Sequence, residues 1–228
     1  MIKTGINFSH DYIDLTHGLL HGIDPKNYYI AGGSIMKLAN GMDLGSSDID
    51  VFFKNFKTFK EASLCISSSN LVALVNLTDF AYTYEFAYKN GPIDIKFRIQ
   101  LINERFANTV EDLLKSFDLN VCKYAIHDFN LYALEEAIEG FRNKTLKISN
   151  SKISHSTSLE RVGKYISLGF KAEKDIFEYI IKRSINNNDL VFINSRQKSY
   201  FLSSIENNSK TKLKNNVFHT DLRWESEL

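Results

Sequence analysis

The chain has 228 residues, of which 28 are Lys or Arg and 27 are Asp or Glu, so its formal net charge is +1. Hydrophobic residues make up 43% and charged residues 24%. These proportions are typical of a soluble globular protein and exclude a wholly disordered, collagenous or fibrous chain. The balanced charge also excludes a strongly basic, DNA-coating protein, so any contact with nucleic acid is expected to be a local patch.

The cysteines and the hydrophobic runs indicate the compartment. Cys65 and Cys122 are the two cysteines and show no CxxC spacing, which argues against a disulfide framework or a structural zinc cluster and favours a reducing, cytoplasmic location. The first residues soon reach His10, Asp11 and Asp14, unlike the apolar core of a signal peptide. No run approaches the roughly 18 apolar residues of a membrane span, so we expect no membrane partner.

The first third of the chain predicts strands and helices around a glycine turn. In chain order these are a helix over about 12–23 that ends at Asp24-Pro25, a strand over Tyr28–Ala31, the turn Gly32-Gly33-Ser34, a helix over Ile35–Ala39 closed by Gly41, a polar loop over 43–47 and a strand over Asp48–Phe53. Proline cannot continue a helix, and glycine commonly closes one, so these residues set the predicted boundaries.

The middle of the chain predicts a helix over 57–67, a short strand over 71–75 and a β-hairpin. Aromatic side chains recur at every second residue from Phe80 to Tyr88, which is the period of a strand with one buried face. We interpret this stripe as core packing rather than a base-stacking platform. After a turn at 90–92, residues Ile93–Leu101 alternate between apolar side chains and Asp94, Lys96 and Arg98, which therefore share one face. Thr109 to Asp112 then predicts a helix start with a capping box.

From about residue 151 the pattern changes to helices, over 159–168 and 172–185. We therefore predict two domains, residues 1–150 and residues 151–228. The lysines near the end of the chain, Lys210, Lys212 and Lys214, are interpreted as a solvated tail rather than a nucleic-acid patch.

Asp48-Ile49-Asp50 is the feature that carries chemistry. Residues two apart on a strand point to the same face roughly 6 to 7 Å apart. Two bare carboxylates at about 6 Å repel by about 2 to 3 kcal/mol at an effective dielectric constant near 20, and a divalent cation relieves that repulsion. Oxygen ligands favour Mg²⁺ or Mn²⁺ over zinc.

A third acid, Asp94, stands alone on the predicted neighbouring strand, and three carboxylates are able to hold two metal ions for phosphoryl or nucleotidyl transfer. Gly32 and Gly33 allow the backbone to approach a phosphate chain, and Ser34 adds a hydroxyl. A DxD or a Gly-Gly pair alone is usually just a turn. Their order along the chain is what favours a phosphate and metal site.

These residues give the sequence a family resemblance. Ala31-Gly32-Gly33-Ser34 with Asp48-Ile49-Asp50 resembles the signature of the DNA polymerase β-like nucleotidyltransferase superfamily, which includes CCA-adding enzymes and poly(A) polymerases, and Asp94 matches its third carboxylate. Two further stretches, 117–122 and 161–170, are similar to a less characterised branch, so the resemblance covers roughly residues 28–170. The Arg-Arg-Asp-Phe run of bacterial CCA-adding and poly(A) enzymes is absent from this sequence.

The resemblance implies an α+β, palm-like fold, with a mixed or antiparallel sheet flanked by helices and a small C-terminal helical domain. It implies that Asp48, Asp50 and Asp94 bind Mg²⁺ or Mn²⁺ and catalyse transfer of a nucleoside monophosphate from an NTP. The donor phosphates would be held by Gly32, Gly33, Ser34 and Lys164, with Arg161 as a further candidate.

Several alternatives stay open at this point. The acceptor is an RNA 3′ end, a protein side chain, a small molecule or a second nucleotide, and the oligomeric state is not predicted. A non-catalytic nucleotide- or RNA-binding regulator that keeps the pocket is the alternative function. Lys96 and Arg98 either neutralise the acids or contact acceptor phosphate. Asp118 and Asn120 contact either the nucleotide or the protein, and His17 and His21 are interpreted as surface or helix-end residues rather than metal ligands.

Overall fold

A computed structural model of the chain describes residues 2–7, 10–90, 93–149, 155–174 and 176. The strands are β1 (Ile2–Asn7), β2 (Tyr28–Ala31), β3 (Ile49–Phe53), β4 (Val72–Leu77), β5 (Ala81–Asn90), β6 (Ile93–Ile102), β7 (Tyr124–His127), β8 (Asn130–Ala133), β9 (Thr145–Leu146) and β10 (Lys171–Ala172). The helices are α1 (Asp11–Leu19), α2 (Gly33–Ala39), α3 (Phe56–Ser67), α4 (Val110–Ser116), α5 (Glu135–Asn143) and α6 (His155–Ser167), with short 3-10 helices at Pro25–Asn27 and Asn120–Cys122.

The chain divides into two compact units. The first comprises Met1–Asn143 with Ile148–Lys152, and the second comprises Lys144–Lys147 with Ile153–Leu228. Among the described residues, no helix has both the length and the apolar character needed to cross a bilayer.

The first unit is built on an eight-stranded sheet with the order β1-β8-β7-β2-β3-β6-β5-β4. Strands β3 and β6 are parallel, and the other neighbouring strands pair antiparallel. The sheet is therefore mixed, and it confirms the predicted α+β fold class. Strands β1, β7 and β8 were not predicted from the sequence.

Helices α1 and α3 pack against the apolar face of the β5–β6 hairpin. The Tyr84 hydroxyl lies 3.0 Å from Ser63 Oγ and 3.1 Å from Ser67 Oγ on α3, and the Tyr12 ring on α1 meets Phe97 edge to face. Tyr84 and Phe86 are buried, as the core interpretation of the aromatic stripe predicts, but Phe80 is exposed. The alternate residues of β6, which include Asp94, Lys96 and Arg98, are exposed on the opposite face.

Polar side chains cap the helices that the sequence predicts. Asn55 Oδ1 accepts a hydrogen bond from Thr58 N at the start of α3. At α4, Thr109 Oγ1 accepts from Asp112 N and donates to Asp112 Oδ2 at 2.6 Å. The predicted helix start at Thr109 is thereby confirmed, with Asp in place of the usual Glu.

The second unit contains α6 and a small parallel pair of strands, in which Lys171 and Ala172 of β10 pair with Thr145 and Leu146 of β9. Val162 and Tyr165 form the buried side of α6, and the Tyr165 ring packs on Phe170. The sequence predicts a helix over 172–185. The first residue of that range, Ala172, lies in β10, and most of the range lies outside the described residues. The lysines at 210, 212 and 214 also lie outside them.

Candidate nucleotide and metal site

The glycine turn and the DxD motif meet at the junction of β2 and β3. In the antiparallel ladder, Ala31 lies opposite Asp50, and Gly32 follows as the N-cap of α2. A Cβ atom added to Gly32 would lie 3.4 Å from Asp50 Oδ2 and 3.9 Å from Phe117 Cε1. The two motifs predicted to share one site are therefore adjacent in space.

Gly32 has a backbone conformation that suits glycine. Its φ is 105° and its ψ is −158°, a combination that side-chain-bearing residues rarely adopt. Gly32 N donates to Tyr124 O of β7 at 2.9 Å, and Gly32 O accepts from Met36 N in the first turn of α2. The turn is thus tied both to the sheet and to the helix.

Ser34 is the second residue of α2 and directly follows the Gly-Gly pair, and its side chain is buried. Its Oγ has no hydrogen-bond partner among the described residues. A buried hydroxyl without a partner costs free energy, on the order of 1 to 3 kcal/mol. Its position beside the Gly-Gly turn is what a hydroxyl that bonds a ligand oxygen would require.

Hydrogen bonds to Lys37 of α2 hold the loop that precedes Asp48. Lys37 Nζ donates to Leu44 O at 3.0 Å, and the Lys37 side chain is buried. The loop closes further through Met42 N to Lys37 O and Ser47 N to Leu44 O. Asp48 and Asp50 then emerge half-buried on either side of the buried Ile49, as a strand with alternating faces requires.

Asp94 does not join these two acids. Asp50 lies beside Gln100 in the parallel β3–β6 ladder, and Asp94 lies opposite Lys89 in the β5–β6 ladder. A strand rises about 3.3 Å per residue, which places Asp94 about 20 Å along β6 from the level of Asp50. No group of three His, Cys, Asp or Glu side chains suited to a metal occurs among the described residues. The expectation that Asp94 completes the cluster is therefore not met in this structure.

Different side chains occupy the positions next to the DxD motif on β6. Gln100 donates from Nε2 to Thr83 Oγ1 at 3.3 Å, and Arg98 Nε lies 3.8 Å from Glu85 Oε2. Continuing the ladder by one residue puts Arg98 level with Asp48. The sequence did not reveal this arrangement, because the register of two strands separated by 40 residues is not encoded in either strand alone.

The remaining predicted residues fall into two groups. Arg161 and Lys164 lie on α6 in the second unit, and their contact with donor phosphates stays a prediction. Asp118 and Asn120 are buried, and both form hydrogen bonds with protein groups. Asp118 Oδ1 accepts from Leu119 N, and Asn120 Nδ2 lies 3.5 Å from Glu136 O. This favours the structural interpretation of both residues.

His17 and His21 both form contacts with protein groups. His17 Nδ1 forms a 2.5 Å hydrogen bond with the Tyr28 hydroxyl, and burial lowers the pKa of His17, although nearby Asp14 opposes this shift. His21 Nδ1 lies 3.2 Å from Gly18 O. The helix-end interpretation suits His17, which lies half-buried in the last turn of α1, and the surface interpretation suits His21, which is exposed.

Two solved structures share the fold of this chain. A CCA-adding enzyme complexed with ATP aligns with a TM-score of 0.57 at 15% identity, over 88% of this chain and 48% of that chain. The CCA-adding enzyme of Thermotoga maritima, complexed with tRNA, aligns with a TM-score of 0.56 at 14% identity, over 88% and 48%. The chain therefore has a nucleotidyltransferase-like fold.

The match to a protein family is more specific than the similarity of fold. The model of the Gabija anti-defense 2 family matches residues 6–144, which is more than half of the chain, so the chain belongs to this family. A relative named "Gabija anti-defense 2", from Bacillus phage SPbetaL7, is 26% identical over 176 residues, which cover 75% of this chain and 40% of that protein. The chain thus spans about two fifths of the length of this relative.

Proposed function

We propose that this chain is an NTP-dependent nucleotidyltransferase whose activity counteracts Gabija defence. The observation that carries the proposal is the approach of the Asp50 carboxylate to Gly32, with the unpartnered Ser34 hydroxyl one residue beyond the Gly-Gly pair. Two carboxylates beside a turn open to phosphate are what a metal-bound triphosphate needs. The family's name supports the proposed defence target, and the fold and the site support the proposed nucleotidyl transfer.

The donor set fits Mg²⁺ or Mn²⁺. Asp48 and Asp50 offer two hard oxygen ligands on one face, and magnesium commonly binds through one or two carboxylates together with substrate phosphates and water. When bound, the metal supplies charge neutralisation for the departing pyrophosphate and lowers the pKa of a hydroxyl.

The proposed reaction breaks a phosphoanhydride bond of the NTP and forms a phosphoester bond to the acceptor. The acceptor hydroxyl oxygen forms a bond to the α-phosphorus of the NTP, while the bond from that phosphorus to the oxygen bridging to the β-phosphate breaks. Pyrophosphate leaves with that oxygen, and the hydroxyl proton passes to solvent. The chain contributes by binding and orienting the triphosphate through Gly32, Gly33 and Ser34.

Labelled nucleotides test this proposal. We expect that incubation with each α-labelled NTP, Mg²⁺ or Mn²⁺ and a cell extract transfers label to RNA, protein or a small molecule and releases pyrophosphate. Asp50→Asn should lower transfer by about 100-fold or more, as loss of a central electrostatic contact does in other enzymes. Asp94→Asn is the matched control and should retain near wild-type transfer, because its strand register places it away from the site.

Two outcomes would contradict these assignments. Full transfer activity in Asp50→Asn would refute the metal site. Complete loss in a folded Asp94→Asn variant would show that the third acid is required after all.

A non-catalytic nucleotide-binding regulator is the second candidate, and the position of Asp94 favours it. With two acids rather than three at the site, the pocket is suited to holding a metal–nucleotide complex without turning it over. This candidate predicts an NTP-dependent rise in melting temperature that Ser34→Ala reduces, with no pyrophosphate released. Pyrophosphate release above the Asp50→Asn background rejects it.

A further inference from the structure

Strand β4 forms one edge of the eight-stranded sheet and pairs with β5 along one side. Its other side has no strand partner among the described residues. The strand reads Val-Ala-Leu-Val-Asn-Leu and has neither a charge nor a proline. Natural edge strands usually have such residues, because an uncharged edge is a template for another strand.

The side chains of β4 are also exposed. Leu74 is 52% exposed, Val75 49% and Leu77 59%, and the flanking Leu71 and Phe80 are 42% and 62% exposed. Exposed apolar residues are ordinary when scattered singly, but a contiguous group marks a contact surface.

The two faces of β4 differ in character. Leu74 lies opposite Tyr84, and Leu77 opposite Tyr82, so both leucines share the face on which α3 packs. That contact is shown by the ring of Phe59, which meets Tyr82 at 5.0 Å. Ala73 and Asn76 lie opposite Glu85 and Thr83 on the other, polar face. The apolar face of the sheet therefore continues to its edge, where Leu74 and Leu77 remain exposed.

We propose that β4 pairs antiparallel with β4 of a second copy of this chain, about a twofold axis perpendicular to the sheet. An unpaired strand edge selects an extended polypeptide rather than a nucleotide or a lipid. Self-pairing is an isologous contact, in which the same strand edge is used by both copies, and it is permitted here because the strand has no charge to repel its copy. This axis keeps the α3 layers of both copies on one side, so the leucines of one β4 face those of the other.

The expected interface is small. Pairing that covers these five side chains removes roughly 500 Å² per copy, or about 1,000 Å² in total, which is at the lower limit for a specific interface. The register shift between Leu74 and Asn76 marks a bulge, which increases local twist and shortens the regular pairing. We therefore expect a dimer that forms reversibly with concentration.

Sedimentation equilibrium over a wide concentration range tests the dimer. The wild-type chain should shift from monomer to dimer with increasing concentration, and Leu77→Lys should stay monomeric because a lysine on an edge strand opposes pairing with another strand. Leu64→Lys is the matched control, since Leu64 is 73% exposed but lies on α3, and it should dimerise like wild type. A wild-type chain that is monomeric at every concentration overturns the proposal, as does dimerisation of a folded Leu77→Lys variant at wild-type strength.

Amide hydrogen exchange locates the contact. Amides of Val72–Leu77 should exchange more slowly at high concentration than at low concentration, and the difference should vanish in Leu77→Lys. Protection that is independent of concentration would show that the strand is covered within its own chain. Rapid exchange at all concentrations would show that it is not covered, and either result rejects the second copy as the occupant.

Discussion

Gly32 is the residue at which the backbone, the DxD motif and the proposed nucleotide meet. Its φ of 105° is unfavourable for any other residue, and a Cβ would lie 3.4 Å from Asp50 Oδ2. We predict that Gly32→Ala lowers the free energy of unfolding by about 1 to 3 kcal/mol, the typical cost of such a backbone conformation. It should also abolish the NTP-dependent rise in melting temperature, because the turn must leave the backbone conformation that only glycine adopts readily.

Gly18 in α1 provides the control. A Cβ at Gly18 would meet nothing within 4 Å, and an alanine inside a helix is favoured over glycine by roughly 0.5 to 1 kcal/mol. Gly18→Ala should therefore leave stability unchanged or raise it and should not alter nucleotide binding. Equal losses of stability in the two variants, measured by chemical denaturation, would contradict the role assigned to the Gly32 conformation.

Local sequence was sufficient to predict Gly32, Asp48 and Asp50 as neighbours. They flank one strand–turn–helix–loop–strand unit, so their proximity follows from short-range geometry. The position of Asp94 was harder to predict. It depends on the register in which the β5–β6 hairpin, about 40 residues further along the chain, pairs with β3. The alternation of apolar and polar residues correctly placed Asp94 on the same face of β6 as Gln100. It does not fix the position of Asp94 along β6 relative to β3.

An ion pair joins Lys123, at the end of the 3-10 helix Asn120–Cys122, to Glu136 of α5. Lys123 Nζ lies 2.7 Å from Glu136 Oε1, and the Lys123 side chain is 3% exposed. Ser149 Oγ donates to the other carboxylate oxygen. Glu136→Gln should lower stability by about 2 to 3 kcal/mol, below the usual cost of breaking a fully buried pair because Glu136 is partly solvated.

Glu111 offers a matched comparison for this prediction. Its contact with Lys115 is also 2.7 Å long but lies on the surface of α4, so Glu111→Gln should leave the unfolding midpoint unchanged. Adding Lys123→Met to Glu136→Gln should recover part of the lost stability, because no unpaired buried charge then remains. A double variant less stable than Glu136→Gln would contradict the explanation by buried charge.

Elements with strong local signals were predicted, and elements whose pairing is non-local were not. The capping residues Asn55 and Thr109 mark the starts of α3 and α4, and the apolar alternation of β6 is visible in sequence. Strand β1 pairs with β8 across more than 120 residues, and the four-residue β7 and β8 strands have little periodicity to detect. The contact of buried Lys123 with half-buried Glu136 was also missed, because lysine and glutamate usually indicate surface positions.

At the scale of the whole molecule, His17 couples folding to pH. Its ring packs on Phe129 at 4.6 Å and bonds the Tyr28 hydroxyl. Its Nε2 is buried without a partner among the described residues. Burial lowers the pKa of His17 below the ordinary value of 6.5, with Asp14 opposing, so the folded protein resists protonating this ring.

The sign of the effect follows from which state binds the proton. Above pH 6.5 His17 is neutral in both the folded and the unfolded chain and contributes no pH dependence. As pH falls below 6.5, the unfolded chain takes up a proton that the folded chain does not, so stability decreases until the lowered folded pKa is passed. We predict that His17→Asn has a shallower loss of melting temperature between neutral and mildly acidic pH than wild type. His21→Asn, at an exposed position, should follow the wild-type slope, and a His17→Asn slope equal to that of wild type would contradict the prediction.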